Sequence, residues 1–267
     1  MRFVSIDETV IATACRPPLD GAPTLVFANS LGTDYRIWQY VVDHLPMGLG
    51  VLLYDKRGHG LSELGPDASV LQRHVADLQG IIAEAGIGRH VVCGLSVGGV
   101  IAQAYAHTRP EGLAGLVLSN TAPRVGPAQI WDTRIAAVRE GGLASIADGV
   151  MERWFSPAFR TTQTATLAGM RTMLSRQEAA GYIAICEMLR AADLTAGAGT
   201  IAVPTLCIAG TADQSTPPDL VEAMAGQIPG AAFPLIEGVG HIPCVEAPQV
   251  YAERLLSFLE QSQIFRG

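Results

Sequence analysis

A chain of 267 residues with 49% hydrophobic content can bury one large core, so one α/β domain with an insertion is the simplest organisation. Its 18 basic against 25 acidic residues leave a formal charge of -7, which argues against a nucleic-acid partner because phosphate backbones need clustered positive charge. Five cysteines, Cys15, Cys93, Cys186, Cys207 and Cys244, form no C-x-x-C pair, so neither a disulfide framework nor a zinc knuckle is indicated.

The N-terminus, MRFVSIDETV, lacks the apolar stretch of a signal peptide, and a cytoplasmic location is expected. Strands are predicted near Phe3 to Ile6 and Thr9 to Cys15, forming an antiparallel entry. Further strands follow at Thr24 to Asn29, Val51 to Tyr54, His90 to Gly94, Leu113 to Asn120, Thr205 to Ala209 and Ala232 to Ile236. These six are continuous apolar runs, the pattern of strands buried on both faces of a parallel sheet. Amphipathic stretches such as Val75 to Ala85 and Val97 to His107 carry apolar residues three and four apart, as a helix lying on a sheet requires. The uncharged run from Val91 to Thr108 imitates a membrane span in length, but its paired glycines, Ser96, Gln103 and His107 read as strand, turn and helix, and no membrane association is expected. The alternation predicts an α/β fold with a mostly parallel eight-stranded sheet flanked by helices.

From residue 124 to 200 no strand is predicted. That segment is expected to form a helical cap inserted into a core made of residues 1–123 and 201–267. Its eight arginines outnumber its seven acids, whereas the core is acidic, so positive charge gathers where a substrate would enter.

The sharpest chemical signal is Gly94-Leu95-Ser96-Val97-Gly98, a G-x-S-x-G motif placed between a predicted strand and a predicted helix. A serine there sits on a tight turn whose flanking glycines remove colliding Cβ atoms, and it meets the free N-H groups of a helix start. A serine hydroxyl needs a base, and the base needs an orienting acid. Asp213 lies in the loop Gly210-Thr211-Ala212-Asp213-Gln214 after one strand, and His241 lies in Gly238-Val239-Gly240-His241-Ile242-Pro243 after the next. The order Ser96, Asp213, His241 agrees with the α/β-hydrolase arrangement. His44, His74, His90, His107 and His59 lack that placement and read as structural. No carboxylate follows the strand ending at Asn120, which leaves Asp213 as the acid. The backbone N-H groups of Val97 and Leu31, the latter in Asn29-Ser30-Leu31-Gly32-Thr33-Asp34, are the expected oxyanion donors.

With these residues assembled, the chain resembles the 3-oxoadipate enol-lactonases nearly end to end. The resemblance rests on the Asn29 to Asp34 and Cys93 to Gly99 strings and on Tyr54-Asp55-Lys56-Arg57-Gly58-His59-Gly60-Leu61-Ser62. In the cap it rests on Glu152-Arg153-Trp154-Phe155-Ser156-Pro157 and Gly181-Tyr182-Ile183-Ala184-Ile185-Cys186. It implies hydrolysis of a small anionic enol-lactone bearing an acetate arm. No metal or organic cofactor is expected, since the sequence carries no helical His-Glu-x-x-His pattern, glycine-rich phosphate loop or cysteine cluster. Arg134 and Arg190 are the candidates to meet the substrate carboxylate, and Trp154 to wall the pocket. A carboxylesterase, a carbon-carbon bond hydrolase, a perhydrolase, or a non-catalytic receptor on the same fold remains open on the core motifs alone.

Overall fold

In the computed structural model, which describes residues 1–265, the sheet forms along the apolar runs. Eight strands, β1 (Arg2–Ile6), β2 (Thr9–Arg16), β3 (Thr24–Ala28), β4 (Gly50–Tyr54), β5 (His90–Leu95), β6 (Leu113–Ser119), β7 (Thr205–Gly210) and β8 (Leu235–Ile236), take the spatial order β1-β2-β4-β3-β5-β6-β7-β8. β1 and β2 pair antiparallel with each other, β2 joins β4 antiparallel, and every later pairing is parallel. All residues of β3, β4, β5 and β7 are buried, so these strands are covered on both faces, whereas β1 exposes one side and closes the edge.

The last strand is shorter than the sequence predicts. Pro234 has no N-H to give the ladder, so the expected run from Ala232 breaks into an isolated bridge from Ala232 to Leu206 and a two-residue β8.

Ten α-helices are found among the described residues. They are α1 (Gln39–Val42), α2 (Leu71–Glu84), α3 (Val97–His107), α4 (Ala128–Trp154), α5 (Pro157–Thr162), α6 (Thr164–Ser175), α7 (Ala179–Ala191), α8 (Pro218–Ala225), α9 (Pro243–Glu246) and α10 (Pro248–Gln261). α2 begins a turn before the predicted Val75 because Leu71 and His74 belong to the same buried stripe as Val75, Leu78, Ile81 and Ile82. His74 can be buried because its Nε2 meets the Ala68 carbonyl at 2.8 Å. None of the described helices is long and apolar enough to cross a membrane.

Helices α4 to α7 form the cap between β6 and β7. α4 is two limbs joined at Gly142, whose φ of 68° reverses the helical turn. The cap rests on the core where Gly181, at the start of α7, meets Gly58. A Cβ at Gly181 would collide with the Gly58 carbonyl oxygen, so this contact admits no side chain. Beside it the Gly60 N-H donates to Gln177 Oε1 at 2.8 Å.

Candidate active site

β5 ends in the turn that presents Ser96. Its backbone has φ 57° and ψ -118°, a conformation an L-residue holds only when its surroundings fix it. Several contacts do so. The Ser96 N-H continues the ladder to the Ser119 carbonyl at 2.9 Å, and Thr121 Oγ1 donates to the Ser96 carbonyl at 2.7 Å. A Cβ at Gly98 would collide with the Ala28 carbonyl oxygen, so α3 starts hard against the end of β3. That contact places the first N-H of α3, on Val97, beside the loop after β3. Helix geometry leaves it without an intrahelical acceptor.

Asp213 and His241 come together as the sequence predicts. His241 Nδ1 lies 2.8 Å from Asp213 Oδ2, with both side chains buried. Both follow strand positions at the carboxyl edge of the sheet, where Ser96 also stands. In this structure the closed pair is His241 with Asp213; among the described residues the Ser96 hydroxyl makes no hydrogen bond.

The carboxylate of Asp213 is fully occupied. Ser215 and Thr216 N-H groups donate to Oδ1 at 2.7 and 3.1 Å, and Thr216 Oγ1 and Asn120 Nδ2 donate to Oδ2 at 2.7 and 2.8 Å. Burial alone would raise its pKa; the charge and hydrogen bond of His241, with those from Asn120 and Thr216, outweigh burial and hold the carboxyl below its ordinary value. Asn120 therefore stands at the end of β6 as a donor to the acid. Sequence reasoning treats it only as a position without a carboxylate; the signal that could have found it is its place directly after a strand, at the carboxyl edge.

The loop from Asn29 to Asp34 is clamped from below by the turn after β4. Lys56 Nζ donates to the Ser30 carbonyl at 2.6 Å, and His59 Nε2 accepts the Gly32 N-H at 3.1 Å. His59 Nδ1 lies 3.2 Å from the Arg57 carbonyl, so its proton sits on Nδ1. Burial, reinforced by the Lys56 charge, pushes the His59 pKa well below the histidine range, in keeping with a neutral ring. Burial also lowers Lys56 to about 7, against the pull of Asp55 and Asp34. With the Gly32 N-H spent on His59, Leu31 keeps a backbone N-H that has no acceptor among the described residues. Gly32 has φ 75° and lies under the Tyr182 ring, where a Cβ would be 3.0 Å from Cε2. His59 is thus structural, as expected, but its task is to hold this loop.

The three cap residues singled out from the sequence part ways. Arg134 is half-buried, and its Nη1 donates to Tyr182 Oη at 3.0 Å, which ties it through the Tyr182 ring to Gly32. Arg190 is exposed and pairs with Asp132 at 2.7 Å across neighbouring helices. The Trp154 ring is buried, edge-on to Phe155 at 6.4 Å, and its carbonyl accepts the His241 N-H at 2.7 Å. Glu246 strengthens that junction, accepting the Gly240 N-H at 3.0 Å and the Ser156 N-H and hydroxyl. Nothing in the local pattern singles out Glu246, because its cap partner Ser156 lies 90 residues away.

A parallel sheet carrying a strained serine turn, an acid and a histidine at its carboxyl edge, with a helical cap above them, is the architecture of the α/β-hydrolases. Residues 22–247 match the family model described as "Serine aminopeptidase, S33". The chain is 32% identical over 229 residues to 3-oxoadipate enol-lactonase 2 of Acinetobacter baylyi, covering 86% of this chain and 85% of that protein. The crystal structure of the enol-lactonase from Burkholderia xenovorans superposes with a TM-score of 0.93 at 32% identity, covering 97% of this chain and all of the other. A malate-bound thermophilic esterase from Thermogutta terrifontis superposes with a TM-score of 0.90 at 26% identity, covering 98% of this chain and 99% of that one. The chain belongs to this family of α/β-hydrolases, alongside the 3-oxoadipate enol-lactonases, and its chemistry is that of an ester or lactone hydrolase.

Proposed function

We propose that the protein hydrolyses 3-oxoadipate enol-lactone to 3-oxoadipate, with Ser96 as nucleophile, His241 as general base and Asp213 as the group that orients it. The observation that carries the substrate reading is the end-to-end likeness to enol-lactonases, which extends through the cap as well as the core.

Asp213 fixes the His241 proton on Nδ1 and leaves Nε2 free to accept the Ser96 hydroxyl proton as Oγ attacks the lactone carbonyl. In ligand-free proteins this last hydrogen bond commonly tightens only on substrate binding. The Leu31 and Val97 N-H groups face the oxygen on which negative charge develops, and loss of one such donor costs about 10² to 10³ in rate in comparable sites. The tetrahedral intermediate collapses by breaking the ring C-O bond. The leaving enolate takes the proton from His241, giving an acyl-enzyme with its enol still tethered. Water, deprotonated by His241, then attacks the acyl carbonyl, and Ser96 Oγ leaves with that proton. Tautomerisation of the released enol to the ketone draws the reaction forward.

A second reading, a carboxylesterase acting on acidic esters, is favoured by the likeness to the malate-bound esterase. Ultraviolet-monitored hydrolysis of the enol-lactone beside p-nitrophenyl acetate, with wild type and Ser96→Ala, separates the two. Fast, Ser96-dependent loss of the lactone is expected, with kcat lower by roughly 10⁴ to 10⁶ in the variant. Ester cleavage without lactone turnover would discard the lactonase reading and keep the esterase.

A further inference from the structure

The Leu31 N-H and the Ser30 carbonyl are the two ends of one peptide group. In a trans peptide they point in opposite directions, so whatever fixes the carbonyl also aims the N-H. β3 runs between β4 and β5, which puts the turn after β4 on one side of the loop after β3 and the Ser96 turn on the other. Lys56, in the turn after β4, donates from Nζ to the Ser30 carbonyl at 2.6 Å. The carbonyl therefore faces the β4 side, and the Leu31 N-H faces the β5 side, towards Ser96 and Val97, where it has no acceptor among the described residues.

This anchor brings a charge with it. Lys56 is 2% exposed, and among the described residues its Nζ donates to the Ser30 carbonyl alone, with no carboxylate within ion-pair distance. The acids that face it are engaged elsewhere: Asp55 accepts the Tyr35 and Leu61 N-H groups at 2.7 and 2.9 Å, and Asp34 pairs with Arg36 at 2.6 Å. Arg57, next along the chain, is closed on Asp77. His59 and His74 also face Lys56, and burial pushes both rings below the histidine range, His74 to about 4, so they stay neutral. Peptide and hydrogen-bond lengths put Nζ roughly 7 to 8 Å from an oxygen held by the Leu31 N-H. At an effective dielectric constant of about 20, a unit charge at that separation is worth on the order of thirtyfold in the rate of forming an oxyanion.

We propose that Lys56 is a positioning residue for the reaction: its ammonium, seated on the Ser30 carbonyl, aims and polarises the Ser30-Leu31 peptide so that the Leu31 N-H stabilises the forming oxyanion more strongly. Hydrogen bonds in series reinforce one another in this way, and the effect is largest where water is excluded. The inference rests on the Ser96 hydrolase reading above and holds for an ester or a lactone alike. Burial keeps Lys56 near 7 against the pull of Asp55 and Asp34, so the resting protein loses this charge as pH rises past neutrality.

The test follows kcat/KM for p-nitrophenyl acetate in wild type, Lys56→Met and Ser96→Ala between about pH 6.5 and 9, a range that spans the loss of the charge. At the acid end Lys56→Met is expected to be slower by on the order of thirtyfold, and the deficit to close towards the alkaline end as wild type loses its ammonium. Inhibition is compared for 1,1,1-trifluoroheptan-2-one and heptan-2-one. Ser96 Oγ adds to the first, its proton passing to His241 and an oxyanion remaining on the former carbonyl oxygen; the second binds largely unreacted. Lys56→Met is expected to weaken the fluorinated ketone at the acid end by a factor similar to the rate deficit and to leave heptan-2-one unmoved. A deficit of equal size across the pH range, equal losses for the two ketones, or no deficit at all overturns the polarisation. If Lys56→Met does not fold, wild type alone carries the test: its preference for the fluorinated ketone is expected to fall from the acid to the alkaline end, and a constant preference overturns the inference. Undiminished cleavage in Ser96→Ala would remove the hydrolase reading itself, whereas Ser96-dependent cleavage with Lys56→Met matching wild type at every pH leaves that reading standing and the role of Lys56 refuted.

Discussion

Asp213 receives four donors besides His241 Nδ1, and each bears on how acid the medium can become before the site fails. Its folded pKa is depressed, so it contributes stability that is present above the unfolded carboxylate value of about 3.9 and is lost as pH falls through the lower folded value. Removing the Asn120 amide takes away a donor to the ionised form, which raises the Asp213 pKa and narrows that window. In Asn120→Ala acid-induced loss of stability is therefore expected to begin at a higher pH than in wild type, read from urea midpoints measured from neutral pH down into the carboxylate range. A variant that merely loosened the fold would lower the midpoint equally at every pH. Ser96, Asp213 and His241 are legible in the sequence because each sits in a short turn directly after a strand, and local chain order carries that information. Asn120 and Glu246 escape it because Asp213 and Ser156, the groups they serve, lie 93 and 90 residues away along the chain.

At the scale of elements, the turn after β4 acts on the loop after β3 through one buried ammonium. Lys56 has a folded pKa near 7, well under its unfolded value, so between about pH 7 and 10 the unfolded chain binds the extra proton and stability rises with pH. In Lys56→Met the urea midpoint is expected to change less between pH 7 and 9 than in wild type, and turnover to fall because the Ser30 carbonyl loses its anchor. An identical pH slope in the two proteins would show that Lys56 is charged in the folded state throughout. The strand pattern is readable from the residues because a short, continuous apolar run bounded by Gly, Pro or Asp needs cover on both faces, which the interior of a parallel sheet supplies. β8 falls short at Pro234, where a missing donor outweighs an apolar sequence, and α2 runs longer because a polar His74 finds a backbone acceptor in the interior. The cap is visible as an interval without strands, yet the reversal at Gly142 that divides α4 is not, since a glycine pair in a helical stretch has no fixed geometry until neighbours impose one.

For the whole molecule, the thiols report on integrity. Cys93, Cys186, Cys207 and Cys244 are buried and Cys15 is exposed, and all five are free thiols. Burial raises the thiol pKa of all four interior cysteines, that of Cys186 and Cys207 to about 12, so they stay protonated and inert while the fold holds. Titration with 5,5′-dithiobis(2-nitrobenzoate) at pH 8 is expected to consume Cys15 first, more slowly than a free thiol because partial burial raises its pKa as well, and the rest only on unfolding. Fast reaction of more than one thiol in the native protein would mean that the interior opens on the timescale of the assay. The same raised values imply stability that is fully present below the unfolded thiol pKa of about 8.5 and is lost as pH climbs toward the folded ones.

The junction at Trp154 bears on how such proteins exchange specificity. Because the last residues of the long cap helix share hydrogen bonds with the segment carrying His241, and because Glu246 grips Ser156 and Gly240 alike, the cap is not a detachable module. A chimaera that swapped everything between β6 and β7 for a relative's segment would inherit a foreign support under its own histidine. Recombination that preserves turnover has to leave the stretch around Trp154 to Ser156 with the resident core, confining heritable variation in substrate range to the helices on either side of it.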